Sequence, residues 1–148
     1  MPFAAGEIIT AGRLNRLQPV PREAAATNDL TLTTAEQDIL GASITVITQT
    51  ANAVYLAYGV FDMSATTGAA GVIMVGRLAV DGVSDTEEAH ADGSTTGARI
   101  TASQDWRGTL ATAGSHTLKL RGLKSAAGGT MLARTIHSKL TVVIYEVV

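Results

Sequence analysis

The chain has 148 residues, of which 46% are hydrophobic and 4% aromatic, with 11 Lys and Arg against 13 Asp and Glu and no cysteine. That length suffices for one domain with a buried core, the net charge of −2 gives no overall basic footprint for nucleic acid, and the lack of thiols excludes disulfides, thiolate catalysis and zinc–thiolate sites. No run reaches the roughly 18 apolar residues of a membrane span, and the opening Met-Pro-Phe-Ala-Ala-Gly-Glu lacks the basic region of a secretory signal. With so few aromatics the core must be built from Val, Ile and Leu, and a core that thin favours oligomerisation.

Residues 1–28 read as an N-terminal arm and 29–148 as a sandwich domain. Within the arm, Thr10 is placed to cap a short helix over 11–18, with Leu14 and Leu17 on one side. Pro19 and Pro21 end it, since proline cannot continue helical hydrogen bonding. A helix of two turns is not stable alone, so its apolar side chains need a partner surface, either the chain's own sandwich or another protein. Residues 24–27, Ala-Ala-Ala-Thr, read as a linker.

The alternation of Leu30-Thr31-Leu32-Thr33 predicts a strand over 31–37, although Thr33 and Glu36 also have capping-box spacing. Gly41 precedes a β-branched run over 43–50, and Ala51-Asn52 turns the chain. Over 53–63, Val54, Leu56, Tyr58 and Val60 share one face while Tyr55, Ala57, Gly59 and Phe61 share the other. A strand apolar on both sides is central in its sheet, with its second face covered by another layer or another subunit. A small-residue loop over 64–71 leads to a strand over 71–80, with Val72, Met74, Leu78 and Val80 inward and Arg77 outward.

An acidic loop is expected over 81–97, then a strand over 98–104 ending near Trp106, which reads as a core or seam anchor. Residues 108–123 read as a hairpin with Gly114 at its corner, where glycine reaches positive φ without strain. After the corner, Leu118 and Leu120 face the dry side and Thr117, Lys119 and Arg121 the wet side. Two further strands, 130–136 and 138–147, bring the total to seven or eight. Short strands, Gly, Asn and Ser turns, and no helix beyond the arm predict an all-β, antiparallel jelly-roll-like sandwich.

Catalytic templates find little purchase. His90, His116 and His137 lack the short spacings of a helix-borne metal site. Ser115 and His116 are consecutive in a strand and face opposite sides, so they cannot act as nucleophile and base. Asp81, Asp85, Glu87, Glu88 and Asp92 offer oxygens that calcium prefers, but not in the EF-hand pattern, and they read as a solvated stretch. The glycine-rich turns lack the lysine and strand-to-helix context of a phosphate loop. No catalytic residue, cofactor or metal is expected. Charge is uneven: 78–98 carries five acidic side chains and no Lys or Arg, while 107–148 carries six basic residues against Glu146 alone, an asymmetry that can steer one copy onto another or onto a larger surface.

Two passages together resemble a known group. Ala5-Gly6-Glu7-Ile8-Ile9-Thr10-Ala11-Gly12-Arg13-Leu14-Asn15 resembles the "AGxxxTAxxLN" opening of many structural proteins of tailed bacteriophages, especially those of actinobacteria. Residues 38–43, 59–62 and 110–120 look like the β-sandwich that follows it, with Leu40 standing where a proline is common. The resemblance spans nearly the whole chain, and its motifs recur in head-decoration and in minor tail or tail-fibre proteins alike. It implies a non-enzymatic virion protein whose arm docks on the particle, often as a homotrimer related to jelly-roll trimers of the tumour-necrosis-factor-like sort. On that basis Phe3, Ile8, Ile9, Leu14 and Leu17 are the expected partner-binding residues. The first expectation is a capsid decoration (cement) protein on the major capsid protein. The second is a tail-fibre or receptor-binding module plugged into a tail or baseplate protein, with 64–71 and 81–97 touching the host. A carbohydrate-active enzyme would need paired carboxylates and aromatic platforms, which this composition hardly supplies.

Overall fold

The computed structural model describes residues 11, 12 and 18–146. Among them nine strands run in the order β1 (Arg22–Ala25), β2 (Leu30–Thr31), β3 (Gln37–Thr48), β4 (Ala53–Thr67), β5 (Ile73–Val80), β6 (Val83–Asp92), β7 (Arg99–Leu110), β8 (Gly114–Lys124) and β9 (Thr130–Tyr145). They form two antiparallel sheets. One has the order β1-β9-β4-β7, with β2 added to the far end of β9; the other has the order β3-β8-β5-β6. The chain is therefore an all-β jelly-roll sandwich, as its alternation predicts.

The core lies between the sheets and is built by period-two burial. Ile44 and Val46 of β3, Tyr55, Ala57, Phe61 and Met63 of β4, Met74 and Leu78 of β5, Leu118 and Leu120 of β8, and Leu140 and Val142 of β9 all point inward and are buried. Trp106 is the expected anchor: it is 2% exposed, meets Phe61 edge-on with ring centroids 6.3 Å apart, and its indole N–H donates to the Glu87 carbonyl at 3.0 Å across the seam between β7 and β6. Gly76 makes room for this pair, because a Cβ there would lie 2.5 Å from the Phe61 ring.

Several local expectations are corrected. Residues 83–92 are not loop: β6 is an edge strand that pairs with β5 and turns Ala89 and Ala91 inward. The β5–β6 turn is Asp81-Gly82, with φ of +50° and +85°, the positive-φ pair that a two-residue hairpin of matching twist requires. Residues 22–25, half of them assigned to a linker, form strand β1 against β9, and β4 continues through 64–67. Of the strand expected over 31–37, only the ends are extended; between them the Thr33 hydroxyl accepts from the Ala35 N–H at 3.2 Å in a local turn. The stretch 108–123 is not a hairpin. β7 belongs to one sheet and β8 to the other, so Gly114, with φ +127°, opens a strand after the chain has crossed between layers. Finally, 130–136 and 138–147 are one strand, β9, interrupted by a bulge where Arg134 pairs with Asp62 but Lys139 with Val60. The Ser138 hydroxyl inside that bulge is buried and accepts the Asp62 N–H at 3.0 Å. The helix expected over 11–18 falls mostly outside the described residues; of it, Ala11 and Gly12 are helical.

Candidate assembly face

The outer faces of the two sheets differ in chemistry. On the β3-β8-β5-β6 sheet the central strands carry charged side chains that satisfy one another, while the edge strands leave Leu40 and Ile47 of β3 and Val83 of β6 exposed. Arg77 bonds Glu88 and Glu36, Arg121 bonds Glu36 at 3.0 Å and Asp38 at 2.8 Å, and Lys119 bonds Asp38 at 2.5 Å. Such a lattice leaves the middle of that face with its charges already paired.

On the β1-β9-β4-β7 sheet the outward side chains of the central strand are apolar. β4 pairs Leu56 with Val143 of β9 and Arg107 of β7, Val54 with Tyr145 and Thr109, Tyr58 with Thr141 and Asp105, and Val60 with Lys139 and Ser103. Paired residues share a face, so these rows set Val54, Leu56, Tyr58, Val60, Val143 and Tyr145 side by side. Leu56 is 39%, Tyr58 46% and Tyr145 42% exposed. Two depressions flank Leu56, one of about 330 Å³ lined by Val54, Leu56, Arg107 and Tyr145, the other of about 290 Å³ running past Tyr58, Asp105 and Val143. The double-sided apolarity of β4 thus has its expected cause on one side, the core. On the other side nothing from this chain's described residues covers it.

Toward the β2 end the same face turns polar. Asp62 is 1% exposed and takes two hydrogen bonds from Arg99, at 2.8 and 2.5 Å. Arg134 donates to Ser64 at 3.0 Å and to Asp29 at 2.8 Å. Hydrogen bonds from Arg134 and the Thr135 N–H hold the Asp29 carboxyl down at about 2, which pins the loop before β2 to the β9 bulge.

Most of the side chains considered for chemistry are occupied structurally, while those of Glu87 and His137 are exposed. His116 is buried, with Nδ1 2.6 Å from Asp81 Oδ2 and Nε2 2.9 Å from the Thr112 carbonyl, so both ring nitrogens face acceptors. The Asp81 hydrogen bond, and then the carbonyl, raise its pKa above 6.5. Burial pushes the Asp81 carboxyl up, but hydrogen bonds from His116 and the Thr117 N–H outweigh it and the net shift is down. Glu88 is held low by His90 and Arg77, while Asp85 and Asp92 accept the Glu87 and Ser94 N–H groups. Among the described residues no three His, Cys, Asp or Glu side chains converge as metal ligands. None of the described helical residues forms a segment long and apolar enough to cross a membrane. Phe3, Ile8, Ile9, Leu14 and Leu17, the partner-binding residues expected from the sequence, all lie outside the described residues. The face on β4 and β9 was only half visible in sequence: the β4 side was marked, but its neighbours on β9 depend on a register that a bulge resets.

No protein-family model matches the chain, and no curated protein matches it in sequence. Solved structures share its fold. VP2 of infectious bursal disease virus, in a subviral particle, superimposes with a TM-score of 0.56 at 17% identity, over 86% of this chain and 33% of that one. Murine APRIL gives 0.52 at 11% identity over 85% of this chain and 98% of that one. The globular domain of zebrafish complement 1qA gives 0.50 at 9% identity over 88% and 98%. The chain thus spans about a third of the viral chain and nearly all of the other two. At these identities the likeness is one of fold.

Proposed function

We propose that the chain is a non-enzymatic virion structural protein, a capsid decoration protein that sits as a homotrimer on the shell with its N-terminal arm docked on the major capsid protein. The observation that carries this reading is the uncovered apolar face of β4 and β9 on a sandwich whose fold is shared by VP2 of a viral particle. An apolar face of this kind fits an assembly surface. The occupied state of His116, Asp81, Asp85, Glu88 and Asp92 supports a role without catalysis. The bacteriophage-like opening of residues 5–15 supports the arm as the particle anchor.

In this mechanism Phe3, Ile8, Ile9, Leu14 and Leu17 bury apolar surface against the capsid protein, at about 25 cal/mol per Å² removed from water. The sandwich remains outside and packs against its copies. Because the protein binds the assembled lattice and not its free subunits, mass action shifts the equilibrium toward the shell. Deleting residues 1–18 tests the arm. The deletion removes no strand, since β1 begins at Arg22, so the sandwich should stay folded and lose particle binding in a cosedimentation assay. A truncated protein that binds particles as well as the full chain would show that the arm is not the anchor.

A further inference from the structure

We infer that the apolar face of β4 and β9 is closed by a second copy of this chain, in one register: the β7 margin of one copy lies against the β1–β9 margin of the next, pairing Arg107 with Glu23 and Asp105 with Lys139. This rests on the self-assembly in the proposal above and adds the contact that makes it.

The argument is the order of charges along the two margins. On the β7 side, Arg107 lies in the row of Leu56, and Asp105 one row further, in the row of Tyr58. On the opposite side, Glu23 of β1 lies in the row of Tyr58, because it pairs with Thr141, and Lys139 lies one row further still, opposite Val60. One margin therefore reads plus then minus and the other minus then plus, each with a step of one row, roughly 7 Å for two residues of strand. Copies around a three-fold axis inclined to the strands still run in the same sense, so both orders are preserved when the margins meet, and the incline, repeated in every copy, offsets one margin along the next while the ring closes. A shift of one row sets both pairs in opposition. Without the shift, Asp105 faces Glu23, a like-charge contact that disfavours that register.

All four charges are exposed and within reach of a second copy. Among the described residues Arg107 and Asp105 make no ion pair, in contrast to Arg77 and Arg121 of the other sheet. Glu23 and Lys139 pair with each other at 3.8 Å, and Glu23 also accepts from the Thr141 hydroxyl at 3.2 Å, but with side chains 62% and 48% exposed they can exchange these contacts for partners on a second copy. All four border the strip of Leu56, Tyr58 and Val60, as the charged rim of an interface borders its apolar centre.

The test uses the full-length chain, light scattering coupled to size exclusion over a concentration series, and circular dichroism to confirm folding. The wild type should run as a closed trimer. Arg107→Glu and Glu23→Arg should each weaken association about tenfold per contact, since reversal replaces an attraction with a repulsion. The double variant Arg107→Glu/Glu23→Arg should return to within about threefold of wild type. Asp105→Lys, Lys139→Glu and their double variant give an independent repeat of the same pattern. A wild-type trimer indifferent to the single reversals, or double variants as weak as the two losses summed, overturns the register while leaving the homotrimer in place. A monomeric wild type overturns both the contact and the homotrimer, and leaves particle docking through the arm to its own assay.

Discussion

Replacing Asp81 by Asn separates the charge of the Asp81–His116 contact from everything else Asp81 does. Asp81 holds φ at +50° in the β5–β6 turn, a conformation Asn adopts at least as readily, and the Asn oxygen still accepts the Thr117 N–H that Asp81 now holds at 2.8 Å. What is lost is the carboxylate 2.6 Å from a buried imidazole whose other nitrogen is committed to Thr112. A charge-assisted hydrogen bond is worth about 1.5–3 kcal/mol. With the Asp81 side chain 48% exposed, solvent screening brings the expected loss to about 1–2 kcal/mol, or roughly 2–8 °C in Tm for a domain of this size.

The sign with pH follows from the two shifts. The pKa of His116 is raised in the folded state, so its contribution is complete below the unfolded value of 6.5 and fades as pH rises through the folded one. That of Asp81 is lowered, so its contribution is present above 3.8 and is lost as pH falls through the folded value. The contact is therefore strongest between those two unfolded values. Urea or thermal unfolding of wild type and D81N at about pH 5.5 and about pH 8.5 reads this directly. The destabilisation should be largest at the lower pH and shrink at the higher one. Equal loss at both, or greater loss at the alkaline pH, refutes a protonated His116 facing a carboxylate.

Two further substitutions probe the packing behind the assembly face. Gly76→Ala places a methyl about 2.5 Å from the Phe61 ring and should cost about 1–3 kcal/mol by overpacking, read as a fall in the urea midpoint with unchanged slope. Ser138→Ala strips the partner from the buried Asp62 N–H and should cost about 1–3 kcal/mol, with faster hydrogen exchange at that amide and unchanged far-ultraviolet circular dichroism.

Alternation carried most of the fold. In β4, β8 and the second half of β9 the apolar residues recur every second position, and one or both faces bury as that period requires. The failures have specific causes. β6 is an exposed edge strand whose charges, Asp85, Glu87 and Glu88, mask the small inward residues Ala89 and Ala91; the Asp81-Gly82 dipeptide was the signal that a hairpin had begun. β1 is built on Ala24 and Ala25, which carry too little side chain to mark a strand, and it exists because β9 supplies the ladder. The crossing between β7 and β8 looks local in sequence, yet its two strands find partners far away, β4 for one and β3 and β5 for the other. The candidate face was legible only along β4. Its rim of Glu23, Lys139, Asp105 and Arg107 comes from three other strands and is assembled by register alone.

The decoration role is tested most directly by measuring how many copies of the chain a purified virion carries and in which part. Quantitative mass spectrometry of separated head and tail fractions should find it in heads, on the order of hundreds of copies, as symmetric coverage of a shell requires. A few copies confined to the tail fraction would contradict capsid decoration and assign the chain to a tail or receptor-binding assembly, and absence from the virion would contradict a structural role in the particle.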